Sequence, residues 1–267
     1  MRPARSLDLG EAVEAAETDY LRMWRLRRMS PADLRILLGG DPAQAAGWVE
    51  SAARYGLVEA QLRYGRMLLD GAGVERDAAA ALAWFRRAAR KGSAEAMNMV
   101  GRCLENGWGA PVDLEAAFGW YANAAEAGDD WGEYNRANLL FDGRGVARDL
   151  AAAAAGYRRA AERGHTRAMN LLARCLEEGW GVARDASGAF DWYRRSAEGG
   201  YFRAQYNLAT LLLGRDRLDE AFAWFEQACR GASPDSLRVM LGAWRDHADP
   251  RVAAFARELA GALDLAA

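Results

Sequence analysis

Side chains able to do chemistry are few in this chain and poorly grouped. Glycine pairs of the form Gly-x-Gly stand at Gly71/Gly73, Gly107/Gly109, Gly143/Gly145 and Gly179/Gly181. A glycine turn can offer backbone N–H groups to a phosphate, but that use needs a preceding strand and further glycines or a Gly-Lys-Ser/Thr. Neither is present, so the pairs read as turns. Cys103 and Cys175 sit in one recurring phrase, RCLENGWG and RCLEEGWG, and Cys229 stands apart. No CxxC or Cys/His spacing suited to zinc occurs, and the thiols read as small core residues in a reducing compartment. The two histidines, His165 and His247, form no readable pair with a serine or cysteine nucleophile. Carboxylates are plentiful, but they fall at helix starts and on surfaces, where no acid–base pair can be singled out. The expectation is a protein that is not an enzyme, with no catalytic residue, no cofactor and no metal.

What places these residues is an internal repeat. Ala60, Ala96, Gly132, Ala168 and Ala204 follow one another at intervals of 36. The same interval relates Gly65, Gly101, Ala137, Ala173 and Ala209, and it relates Leu68, Leu104, Leu140, Leu176 and Leu212. After each Gly-x-Gly come Asp77, Asp113, Asp149 and Asp185, then Trp84, Trp120, Gly156 and Trp192, and then paired small residues such as Ala88-Ala89. A period of this length marks stacked supersecondary units. The small residue near each Leu permits close approach of two helices. The first Gly of each pair ends a helix in the left-handed conformation. The Asp caps the next helix. The aromatic pairs Trp84-Phe85, Trp120-Tyr121 and Trp192-Tyr193 are expected to fill the joints between units.

Composition agrees with an all-α chain. Half of the 267 residues are hydrophobic, and no stretch alternates apolar with polar as a half-buried strand would. With 35 basic and 37 acidic residues, the chain lacks the positive field that nucleic acid or an anionic membrane requires. Arg22, Arg25, Arg27 and Arg28, around Trp24, read as a solvated helix face. The first residues, MRPARSLDLGEAVEAAE, contain no apolar run, so no secretory signal is expected, and no span suits a membrane. The expected location is the cytoplasm.

The repeat columns resemble the Sel-one-like repeat (SLR) family, relatives of tetratricopeptide repeats. AMNLLARCLEEGWGVARDASGAFDWYRRSAEGG, residues 168–200, carries that pattern almost throughout, although Leu68, Leu104 and their equivalents stand where the family often has Tyr. The resemblance implies a right-handed α-solenoid of antiparallel helix pairs whose first helices line a concave face. On this reading residues 1–40 form an N-terminal helical cap and residues 232–267 a C-terminal one. Between them lie a half unit at 41–59, units near 60–95, 96–131, 132–167 and 168–203, and a shortened unit at 204–231. Within the N-terminal cap a helix enters at Ser30-Pro31; the C-terminal cap carries stripes of Leu237, Met240, Leu241, Trp244 and of Val252, Phe255, Leu259, Leu263.

Function then rests on first-helix positions that vary between units. By the resemblance, one such stripe faces the groove, and it holds Asn98 and Arg102, then Trp131, Tyr134, Asn138 and Phe141, then Asn170 and Arg174, then Tyr206. Amides can bond a peptide backbone, arginines suit a carboxylate, and aromatic residues supply rigid anchors. The expected partner is a protein or peptide held in the groove, with no nucleic acid and no membrane, by a chain that is monomeric or weakly self-associating. Two other readings stand beside it, a hydrolase or small-molecule-binding protein on the same solenoid and a self-assembling structural protein. Trp108 and Trp180, in the GWG turns, either fold back on their own units or form a second edge. In the third unit Arg136, Gly132 and Gly156 break the columns, through drift or to soften a joint; a buried Arg136 would need Asp129, Asp130 or Glu133.

Overall fold

The computed structural model describes residues 20–26, 28, 39 and 41–262. The predicted helix entry at Ser30-Pro31, Arg27 and Leu263 lie outside the described residues. Among those described, every regular element is helical, and the chain is an all-α repeat solenoid of paired helices. After a helical stretch at 20–26 come α1 (Pro42–Arg54), α2 (Val58–Asp70), α3 (Ala78–Ala89), α4 (Ala94–Asn106), α5 (Leu114–Glu126), α6 (Asp130–Asp142) and α7 (Leu150–Glu162). They are followed by α8 (Thr166–Glu178), α9 (Ala186–Glu198), α10 (Phe202–Leu213), α11 (Leu218–Gly231), α12 (Pro234–Arg245) and α13 (Pro250–Ala262). Two compact units contain them, Met1–Gly132 with Arg144–Val146, and Glu133–Gly143 with Ala147–Ala267.

Local rules explain where the helices begin and end. Asp77, Asp113 and Asp149 each accept a hydrogen bond from the backbone N–H three residues on, at 2.8–2.9 Å, and Asp185 accepts from Ser187 and Gly188. The four second helices therefore start where the sequence places them. Gly71, Gly107 and Gly179 close first helices at φ values of 72–77°. The second glycine of each pair has a different duty. A Cβ on Gly109 would overlap the Ala78 carbonyl, and one on Gly181 the Leu150 carbonyl, so the turn lies directly on the start of the preceding second helix.

In the first unit, α1 through α5 pack each on the next. Val49, Phe85 and Tyr121 occupy one repeat column, and all three are buried. Small residues opposite make room: a Cβ on Gly101 would come within 2.6 Å of the Tyr121 ring. Arg22 is not a purely solvated residue, since its guanidinium donates to the Gly47 carbonyl and Ser51 Oγ. In the second unit, α7 through α11 pack in the same manner, and α12 and α13 close on α11. Tyr157, Tyr193 and Phe225 continue the buried column, and Trp244 of α12 stacks on Phe225 at 3.7 Å between ring centroids.

This revises the expected role of the tryptophans. Trp84, Trp120 and Trp192 are only half-buried, whereas the residue after each, Phe85, Tyr121 and Tyr193, is at most 1 % exposed. Neighbours on a helix point about 100° apart, so only one of each pair can enter the joint. The indoles lie at its rim, two of them under cations, with Arg87 over Trp84 and Arg195 over Trp192 at 4.4 and 4.1 Å.

The third repeat keeps Tyr157 and is rebuilt around a charge. Gly156 lacks the side chain found in the other units, and a Cβ there would lie 2.9 Å from Ala137 Cβ and 3.0 Å from Glu133 Oε1. The space is filled by the Glu133 carboxylate, which is 4 % exposed and accepts from Arg136 at 2.9 Å and Arg159 at 2.7 Å. Glu133 is thus the partner Arg136 requires, while Asp129 caps α6 by accepting from the Gly132 N–H at 2.7 Å. Gln61 and Gln205 stand at the same column as Glu133 and donate instead to the carbonyls of Ala53 and Ala197.

Candidate binding surface

In the second unit the first helices and α12 enclose an open cavity of about 470 Å³. Its wall is built by register. Tyr134, Asn170 and Tyr206 occupy the same column, two residues after the small residue that opens each repeat, so equivalent faces of α6, α8 and α10 present them together. Arg174 lies one helical turn beyond Asn170 on the same stripe. Four of the residues singled out in the sequence are therefore brought into one site. Tyr134 is fixed by stacking on His165, at 4.7 Å between centroids, and His165 caps α8 by accepting from the Ala168 N–H at Nδ1, 3.1 Å away.

The far wall was missed by the repeat reading. Asp235, Ser236, Val239 and Met240 of α12 complete the cavity, and Val239 is 74 % exposed. They stand in a helix without repeat columns, assigned only to a capping role. Their spacing along a Ser-Pro-initiated helix is the signal that could have located them, because it puts them on one face. Arg203, Tyr201 and Phe202 at the start of α10 also line the cavity.

The other singled-out residues are placed differently. Asn138 accepts a hydrogen bond from the Tyr157 hydroxyl at 2.9 Å, doing for that tyrosine what Glu105 and Glu177 do for Tyr121 and Tyr193 at 2.7 Å. Phe141 packs on Tyr157 and on Trp180, with centroids 6.3 and 5.3 Å apart. Neither lines the cavity. In the first unit Asn98 is buried at 6 % exposure, Arg102 is exposed with its guanidinium 5.5 Å from the Trp108 ring, and Trp131 is 42 % exposed. Asn170 is also buried, and its Oδ1 accepts from Asn207 Nδ2 at 2.9 Å, so that oxygen is already committed within the wall. Trp108 and Trp180 are both half-buried; each lies under an arginine of its own repeat, Arg102 and Arg174, and Trp180 also packs on Phe141 of the preceding repeat.

Electrostatically the cavity is an apolar and aromatic surface edged by cations. The Arg174 guanidinium lies 5.0 Å from the Trp180 ring and that of Arg203 5.7 Å from Phe202. Burial pushes the Tyr201 and Tyr206 hydroxyls above the ordinary phenol range, so both are neutral hydrogen-bonding groups. The thiols are likewise held in the neutral form: burial pushes Cys103 and Cys175 up to about 11 and Cys229 up to about 12. Among the described residues no group of three or more His, Cys, Asp and Glu is placed to hold a metal ion, and no helix is long and apolar enough to cross a membrane.

The Sel1 repeat pattern matches the chain five times, over residues 58–93, 94–129, 132–165, 166–201 and 202–233. Among solved structures, a Sel1 repeat protein from Oxalobacter formigenes is 26 % identical with a TM-score of 0.68, over 80 % of this chain and 96 % of that one. A protective antigen present in uropathogenic Escherichia coli strains, which displays an SLR fold, is 26 % identical with a TM-score of 0.68, over 93 % of this chain and 54 % of that one. An immunity protein from Pseudomonas aeruginosa shares the fold at 15 % identity and a TM-score of 0.50, over 78 % of this chain and 84 % of that one. Among curated proteins none matches the sequence. The repeat fold these comparisons share typically mediates protein–protein interactions and is generally a non-catalytic scaffold.

Proposed function

The chain belongs to the Sel1 repeat family, and on that premise we propose that it is a non-enzymatic adaptor holding a protein or peptide segment in a groove walled by its first helices. The observation that carries the reading is a division of labour. The rings that fill the joints, Phe85, Tyr121, Tyr157 and Tyr193, are buried, whereas Tyr134, Arg174 and Tyr206, from columns whose residue changes between repeats, line an open cavity. A volume of about 470 Å³ falls within the ordinary range for ligand sites, and rigid aromatic side chains beside a guanidinium are the residue types that dominate interface energies. The same proposal assigns a reducing, cytoplasmic setting, in keeping with three buried free cysteines.

The test is selection of a random dodecapeptide library displayed on phage, using the full chain and its Tyr134→Ala/Tyr206→Ala double variant as parallel baits. Enriched sequences should bind the parent and lose at least tenfold in affinity for the variant, with unchanged helical circular dichroism. Equal enrichment on both baits would remove the groove from the function.

A further inference from the structure

We propose that the occupant of this cavity is an acidic peptide segment, with carboxylates spaced to meet Arg174 and Arg203 and an apolar residue between them. The inference rests on the adaptor reading and names the chemistry of its partner. Both guanidiniums line the cavity and are held against aromatic rings. Among the described residues neither forms an ion pair with a carboxylate, as the rim-stacked Arg87, Arg102 and Arg195 also do not; what sets Arg174 and Arg203 apart is that both line the one cavity. A guanidinium stacked on a ring keeps its edge N–H donors in a fixed plane, ready for a carboxylate. Tyr206 and Met240 line the same cavity and offer apolar area and nothing anionic.

The register sets the spacing. Arg203 is level with Arg167 in the preceding repeat (203 − 36 = 167), and Arg174 lies seven residues along α8 from that level, about 10 Å at 1.5 Å per residue. Neighbouring helices stand about 10 Å apart. The diagonal is about 14 Å, which an extended chain covers in about four residues. Asp235, the one acidic residue lining the cavity among those described, is itself paired with Arg238 at 3.0 Å, so it offsets the positive edge little. A basic segment would meet two like charges; a neutral one would leave both arginines unused.

The test uses fluorescence anisotropy of the full chain with three labelled probes: a dodecapeptide alternating glutamate and leucine, one alternating lysine and leucine, and single-stranded oligothymidylate of twelve nucleotides. The Glu-Leu peptide should bind, lose about tenfold in affinity with each of Arg174→Ala and Arg203→Ala, and weaken as salt rises. Arg174→Gln and Arg203→Gln keep length and polarity and should lose as much, while the Arg174→Glu/Arg203→Glu double variant should transfer its preference to the Lys-Leu peptide. Equal binding of the two peptides, or indifference to the arginine variants, overturns the charge assignment and leaves the groove standing. Tighter binding of oligothymidylate than of the Glu-Leu peptide makes the ligand a nucleic acid and also overturns it. If neither peptide binds while the phage library still yields tyrosine-dependent binders, this inference alone fails. If the library fails as well, the adaptor reading falls with it.

Discussion

Glu133 offers the sharpest test of how the third repeat holds together. Its carboxylate is 4 % exposed and meets Arg136, 22 % exposed, and Arg159, 45 % exposed. Replacing it as Glu133→Met, the residue found at Met97 and Met169, strands the largely buried Arg136 without an anion. Breaking such a pair from one side costs about 3 kcal/mol or more; Arg159, nearly half exposed, turns to water and adds little. Arg136→Leu, the residue found at Leu172 and Leu208, leaves Glu133 with Arg159 and should cost about 1–2 kcal/mol. If the costs were independent, the double variant would lose about 4–5 kcal/mol. Because the pair of substitutions restores the apolar solution used in other repeats, and Met adapts to irregular space, the double variant should instead lie within about 1 kcal/mol of the parent. The expected coupling is therefore about 3 kcal/mol, read from urea unfolding of the four proteins by circular dichroism and tryptophan fluorescence. Additive losses would refute the argument, because they would mean that the carboxylate and guanidinium are stabilised separately.

Two further expectations concern the joints. Tyr193→Ala should cost about 3–5 kcal/mol by removing a fully buried ring and Tyr193→Phe about 1.5–3 kcal/mol through the lost bond to Glu177; Trp192→Ala should cost less than Tyr193→Ala, and the reverse order in urea midpoints would contradict the rim placement of the indoles. The thiols of Cys103, Cys175 and Cys229 and the phenols of Tyr64, Tyr121, Tyr157 and Tyr193 are raised by burial in the folded state. Their contribution is intact below the unfolded values of about 9 and 10 and is lost as pH rises toward the folded ones, so the urea midpoint should fall steadily above pH 9 while native thiols resist a thiol-reactive dye at pH 8, and a flat midpoint would refute the burial.

Much of the fold was legible because its causes are local or periodic. A left-handed glycine, an aspartate one step before a helix and a small residue opposite a ring each act within a few residues or one repeat, so Gly107, Asp113 and Gly101 can be read from spacing alone. The periodic stripe also put Tyr134, Asn170, Arg174 and Tyr206 on one face. Three matters could be decided only by tertiary packing. Which member of a Trp–Tyr pair enters a joint depends on the exact rotation of a helix, and adjacent residues differ by only a third of a turn. Whether Asn138 and Asn170 serve a ligand or the protein depends on Tyr157 and Asn207, hydrogen-bond partners on other helices that no spacing reveals. The cavity's far wall came from α12, which lies outside the repeat, since a periodic pattern can report only on helices that obey it.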